Sequence, residues 1–184
     1  MRKKINWQER VHHFLLSQEV KKKTFQRGPK PFNEMERIGI IYDATDASQK
    51  ELTKRFISNL EKQNKQVKSL AFFDDKNEHS NESFKHFNRK DLNWSKHPKH
   101  PYVKDFVTQP FDLLICIYQG VCFPLEYLAA LSPADLRVGP FTKRIYCYDV
   151  MVETKFDAPF ETFLDQINSL LVNTLQTQYE KSPV

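Results

Sequence analysis

Apolar residues along the chain fall into short unbroken runs that alternate with stripes at helical spacing. Ile38, Ile40 and Ile41 form one run, Val67 to Phe73 a second, Leu113 to Ile117 a third. Leu136 to Val138, ended by Gly139-Pro140, and Ile145 to Val150 add two more. Such runs suit strands buried on both faces. Between them, Leu52, Phe56 and Leu60 mark one face of a helix that runs to about Gln63, with Asn64 as its stop. Ser48-Gln49-Lys50-Glu51 has the form of a capping box at its start. Pro124 suits the first turn of a helix carrying Leu125, Leu128 and Leu131, and Ala129 and Ala130 permit close approach to a sheet. Asp157 is placed to cap a final helix with Pro159 early in it and Phe160, Phe163, Leu164, Ile167, Leu170 and Leu171 at helical period. Phe84 to Phe87 predicts a short edge strand, and Tyr102 to Val107 a short helix. Alternating strands and helices predict a three-layer α/β domain. Its sheet is mostly parallel and Rossmann-like, of five or six strands, with right-handed crossovers.

A further stripe precedes all of this. Trp7, Val11, Phe14 and Leu15 fall at i, i+4, i+7 and i+8, one face of a helix. Gly28, Pro29 and Pro31 then break the chain. The expected organisation is a helical arm and linker over residues 1–31 and a single α/β domain over residues 32–184. The apolar stripe must cover the protein's own domain, a second copy or a partner; Gly28, Pro29 and Pro31 favour a separable arm that docks in trans.

Charge gives the arm more meaning. Residues 1–31 hold nine Lys or Arg against Glu9 and Glu19, a net +7, while the rest of the 184-residue chain is at −2. The whole net charge of +5 therefore comes from the arm. Segregated positive charge points to a polyanion. Arg2, Lys3, Lys4, Arg10, Lys21, Lys22, Lys23 and Arg27 are the candidate contacts to RNA, ribosomal RNA foremost. Downstream, Trp94 stands among Lys90, Lys96 and Lys99. An aromatic among lysines can stack on a base while the lysines meet phosphates, so Trp94, Lys96 and Lys99 join the nucleic-acid set.

Composition narrows the class. Hydrophobic residues make up 40% of the chain and aromatics 13%, with fifteen Phe, enough for a packed core. No apolar run approaches the ~18 residues of a membrane span. The opening MRKKINWQERVHHFLL lacks the apolar block and cleavage site of a signal peptide, so the expected compartment is the cytoplasm. Cys116, Cys122 and Cys147 sit among apolar residues and read as reduced, buried thiols. No His stands at a spacing that would make Cys122 a nucleophile. His97 and His100, each before a Pro, read as a solvated loop rather than a metal site. No cofactor is expected.

The turn after the first strand, Asp43-Ala44-Thr45-Asp46-Ala47-Ser48, is where many α/β proteins hold a phosphate. It has no glycine to expose backbone amides, and two carboxylates oppose an anion. Asp43 and Asp46 are expected to serve turn and cap geometry. Parallel sheets bind ligands outside the carboxyl ends of their strands. A second reading therefore keeps Asp43, Thr45, Asp46, Tyr118, Gln119 and Gly120 as a ligand pocket, for a small-ligand protein or an enzyme.

RIGIIYDAT, RKDLNWSKHPKHP, FDLLICI, PLEYLAALSPADLRVGP and the YDVMVE strand, with the basic N-terminal helix, make the whole chain resemble a family of small uncharacterised proteins from Bacteroidota. That resemblance implies a compact domain and no activity. FDLLICI followed by a small-residue helix and LRVGP is also similar, over about 40 residues, to one half of heptosyltransferase-type glycosyltransferases. Those enzymes carry a Gly-rich turn where this chain has YDATDAS, and a second Rossmann-like half that this length cannot hold. The likeness implies the fold and not the activity. The preferred reading is a non-enzymatic protein that docks on RNA through the arm and the Trp94 loop.

Overall fold

A computed structural model describes residues 7–21, 27–28, 30–144, 146–155 and 157–174. Its centre is a six-stranded, all-parallel sheet: β1 (Arg37–Asp43), β2 (Gln66–Phe73), β3 (His86–Asn88), β4 (Leu113–Ile117), β5 (Leu136–Pro140) and β6 (Val150–Val152). The strand order is β3-β2-β1-β4-β5-β6, the doubly wound Rossmann order, which reverses direction between β1 and β4. Ile38 pairs with Val67 on one side and Leu113 on the other, and Val138 pairs with Val150.

Alternation along the strands builds two cores. Ile38, Ile40 and Tyr42 of β1 and Leu113, Ile115 and Ile117 of β4 face α2 (Ala47–Lys62) and α5 (Phe160–Ser169). Phe56, Leu60, Phe163 and Ile167 meet them from those helices. Ile41, Leu114 and Cys116 face the other way, toward α1 (Trp7–Lys21), α3 (Pro101–Val107) and α4 (Phe123–Leu131), where Leu16, Phe106, Leu125 and Leu128 close the second core. Each large side chain buried this way contributes about 1.5–3 kcal/mol. Gly39 leaves room for the Phe111 ring, since a Cβ there would lie 2.7 Å from it.

Several local expectations change. Asp46, not Ser48, caps α2: its Oδ1 accepts from the Gln49 amide at 2.9 Å and from the Ser48 hydroxyl at 2.6 Å. A carboxylate at the cap position reaches the orphan amides and leaves Ser48 inside the first turn. The strand expected at 145–150 is displaced to Val150–Val152. Cys147 and Tyr148 are apolar because they plug the second core, and Asp149 is held by Arg137 at 2.8 Å. The Asp149 amide donates to the Arg137 carbonyl of β5 at 2.9 Å, just ahead of β6. Pro159, with φ −54 and ψ 148, is the cap residue of α5 in place of Asp157.

The lower edge of the sheet is tied by Asp112. Its Oδ2 accepts from the Glu36 and Arg37 amides, both at 2.8 Å, and its Oδ1 from the Arg37 guanidinium at 3.0 Å. Burial would raise this carboxyl, but the Arg37 and Glu36 bonds outweigh it and bring it to about 2. An unfolded Asp titrates near ~3.9, so the folded state binds this proton more weakly. The resulting stability, about 2.5 kcal/mol, is full above roughly pH 4 and lost as pH falls toward 2. Urea melts stepped through that window should show the loss in the parent chain and a flatter profile in Asp112→Asn. Parallel profiles would mean that Asp112 does not carry it.

Candidate functional site

The arm helix is the first element to place. His12 and Leu16 are fully buried and Val20 partly so, at i, i+4 and i+8, facing α4. Phe14 is 63% exposed and Leu15 half-buried. The buried face is thus rotated from the expected stripe. Leu15 and Leu16 are adjacent, so helical spacing admits either, and His12 is tolerated inside because its Nδ1–H donates to the Ser95 carbonyl at 2.8 Å. Burial lowers the His12 imidazole to about 4, the Ser95 bond offsetting part of the effect. Glu19 accepts from the Tyr127 hydroxyl at 3.0 Å. Beyond the helix, Arg27 grips both oxygens of Asp149 at 2.9 and 3.0 Å. The described part of the arm therefore seats in cis, which corrects the expectation of a separable unit docking in trans. Arg2, Lys3, Lys4, Lys22 and Lys23 lie outside the described residues, as do the side chains of Trp7, Arg10, Val11 and Lys21.

His12 leads directly to the Trp94 turn. Asn93 Oδ1 accepts from the Ser95 amide at 3.0 Å, the Ser95 hydroxyl at 2.8 Å and the His97 amide at 2.9 Å. The Asn93 amide donates to the His97 carbonyl at 3.0 Å and the Lys96 amide to the Asn93 carbonyl at 2.9 Å. A bridge between Leu92 and Pro98 closes the base, and Lys96 sits in the left-handed region at φ 61. Trp94 is held at the tip of this turn with 65% of its surface exposed. His97 is not in a solvated loop: its ring is buried, 4.4 Å from Tyr127 and 4.8 Å from His12. His100 caps α3, its Nδ1 accepting from the Tyr102 amide. Lys99 is exposed, its amide bonded to the Asp91 carbonyl.

Beneath Trp94 lies a cleft of about 520 Å³ at the carboxyl ends of β1 and β2, beside the N-terminus of α4. Its charged lining is Asp43, Asp74, Lys76, Arg89 and Lys96, and Val121, 64% exposed, adds an apolar edge. Arg89 and Asp74 form a two-bond pair at 2.6 and 2.8 Å. Asp43 Oδ1 accepts from the Thr45 amide at 2.9 Å and its hydroxyl at 2.5 Å, and the Thr45 hydroxyl accepts from the Asp74 amide at 2.7 Å. Lys96 Nζ stands 4.7 Å over the Phe123 ring. Burial pushes the Cys122 thiol well above its ordinary range, so it is a weak nucleophile. The three cysteines are free and buried.

Residues that the sequence assigned to two competing sites are therefore regrouped. Asp43 shares a cleft with Trp94 and Lys96. Asp46 is spent on the cap of α2, and Thr45 bridges the β1 and β2 loops. Tyr118 is buried, its hydroxyl 2.6 Å from that of Tyr148. Tyr118, Gln119 and Gly120 line a different cleft of about 710 Å³, with Phe141, Lys155 and Phe163. Asp74, Lys76 and Arg89 were not singled out from the sequence. The available signal was position: Asp74 directly follows β2 and Arg89 directly follows β3. Among the described residues, no group of three or more His, Cys, Asp or Glu is placed to hold a metal ion. No helix among them is long and apolar enough to cross a membrane.

A family model described as a family of unknown function, DUF6913, matches residues 8–173. No curated protein matches the chain.

Proposed function

Because the chain belongs to the DUF6913 family, whose function is unknown, we propose its role from the site itself: a non-enzymatic cytoplasmic protein that docks on RNA, ribosomal RNA foremost, through its basic arm and the Trp94 turn. The observation that carries this reading is the presentation of Trp94. A large aromatic is kept out of the core by a fully bonded turn, beside Lys96, above a cleft edged by Lys76 and Arg89. A rigid exposed ring among cations suits base stacking with phosphate contact. The bond from His12 to Ser95 ties the described part of the arm helix to this turn.

Affinity for single-stranded RNA should fall with salt at a log-log slope of about −0.7 per phosphate contact. Replacing Lys21, Lys22 and Lys23 with alanine should flatten the slope by about two units. Trp94→Ala should weaken binding by about 1–3 kcal/mol. Binding that ignores salt and the triple substitution would sink the reading.

The second cleft favours an alternative, a small-ligand protein or enzyme working beside Gln119 and Gly120. It lies at the carboxyl ends of β4 to β6, where open parallel sheets take ligands.

A further inference from the structure

Resting on the RNA reading, we propose that the cleft beneath Trp94 seats one unpaired ribonucleotide and that Asp43 accepts a hydrogen bond from its ribose 2′-hydroxyl, so that the protein prefers RNA to single-stranded DNA. The volume, about 520 Å³, falls within the range of roughly 300–1,000 Å³ of small-ligand sites. That is room for one splayed nucleotide.

The charges in the cleft divide by availability. Arg89 and Asp74 satisfy one another through both carboxylate oxygens. Lys76 and Lys96 are the cations left to meet a phosphate. Asp43 is the carboxylate that this division leaves over. Both of its hydrogen bonds to Thr45 use Oδ1, and Oδ2 accepts none among the described residues. A carboxylate oxygen repels phosphate, so in a cleft that takes a nucleotide it calls for a donor. Along an RNA backbone the donor that DNA lacks is the 2′-hydroxyl.

The neighbouring helix ends leave the phosphate to the lysines. Asp46 closes the N-terminus of α2 with its own carboxylate, so no anion is drawn to that corner. The N-terminus of α4 has no side-chain cap, and Cys122 and Phe123 of that end line the cleft. Glu126, paired with Arg144, already stands in the first turn of that helix, so phosphate contact in the cleft rests on Lys76 and Lys96. Trp94 and Val121 supply the surface for the base.

The chain has two tryptophans, so Trp7→Phe leaves Trp94 as the sole fluorescent reporter. That full-length protein is titrated with oligouridylate, with oligodeoxyuridylate of equal length, with 2′-O-methyl oligouridylate and with free UMP. Anisotropy of end-labelled strands is followed in parallel. The expected result is Trp94 quenching by oligouridylate at about tenfold higher affinity than by the deoxy or methylated strand, with free UMP weaker than all three. Asp43→Asn, which keeps an acceptor for Thr45, should bring the RNA-to-DNA ratio close to one. Equal affinities for RNA and DNA in the Asp43 protein would overturn the ribose assignment and leave RNA docking intact. Binding seen by anisotropy without Trp94 quenching would remove the nucleotide from the cleft and leave the arm as the docking surface. Free UMP binding as tightly as the strand would make the ligand a free nucleotide and overturn the strand. No binding by either readout would overturn RNA docking as well. The comparison of natural and 2′-O-methyl strands needs no Asp43 variant, so it stands even if that variant fails to fold.

Discussion

Replacing Leu16 with alanine should destabilise the protein by about 2–5 kcal/mol, while replacing Phe14 should change stability by less than about 0.5 kcal/mol. Leu16 is fully buried in the core that α1 shares with α4, and Phe14, two residues earlier, is 63% exposed. Truncating Leu16 removes transfer free energy and leaves a cavity whose walls, Leu125 and Leu128 among them, belong to a rigid sheet-backed helix. Truncating Phe14 removes surface that water already covers. For a chain of this size each kcal/mol moves the melting temperature by about 2–4 °C, so the two variants separate clearly in a thermal melt. The comparison tests the seating of the arm without deleting it. A Leu16→Ala protein that melts with the parent would mean that the helix rests on the domain without contributing to its stability.

Glu126→Ala should cost about 3–5 kcal/mol. Glu126 is 1% exposed in the first turn of α4, where a carboxylate is favoured by the helix dipole. Arg144 reaches both of its oxygens, at 3.0 and 2.7 Å, and lies 5.2 Å over the Phe123 ring. Alanine strips the guanidinium of its main counter-charge and opens a void in the second core. The Arg144 side chain is 23% accessible, so partial rehydration places the loss toward the lower end of the range. Glu126→Gln keeps the volume and an acceptor and should cost less. Urea unfolding reads the difference. A loss below about 1 kcal/mol for alanine would show that water replaces the carboxylate.

Much of the architecture was legible because burial writes itself into composition. Leu113 to Ile117 is apolar without a break, and the strand is buried at every position. Phe160, Phe163, Leu164 and Ile167 keep the period of a helix and line one core. The misreadings share a cause. Cys147 and Tyr148 are as apolar as strand residues, yet they fill the second core in the connection between β5 and β6. His97 stands between Lys96 and Pro98, yet its ring is buried against His12 and Tyr127, two helices that only the tertiary fold brings to it. The site was legible in pieces. Asp43 was marked for lying at a strand end and Trp94 for lying among lysines. What joined them is strand order, which sets the ends of β1, β2 and β3 side by side with the N-terminus of α4. Neither hydrophobic period nor charge count carries that adjacency.

The seating of α1 on α4 also fixes an order of events during synthesis. The arm helix ends at Lys21, and the helix that covers it is finished only at Leu131, roughly 110 residues later. At about 5–20 residues per second, the ribosome needs roughly 5–20 s to supply that cover. Through this interval the side of the nascent helix that carries Leu16 has no mate, while β1 and β2 are already available to one another. The arm helix is made early and must wait for its cover until α4 follows.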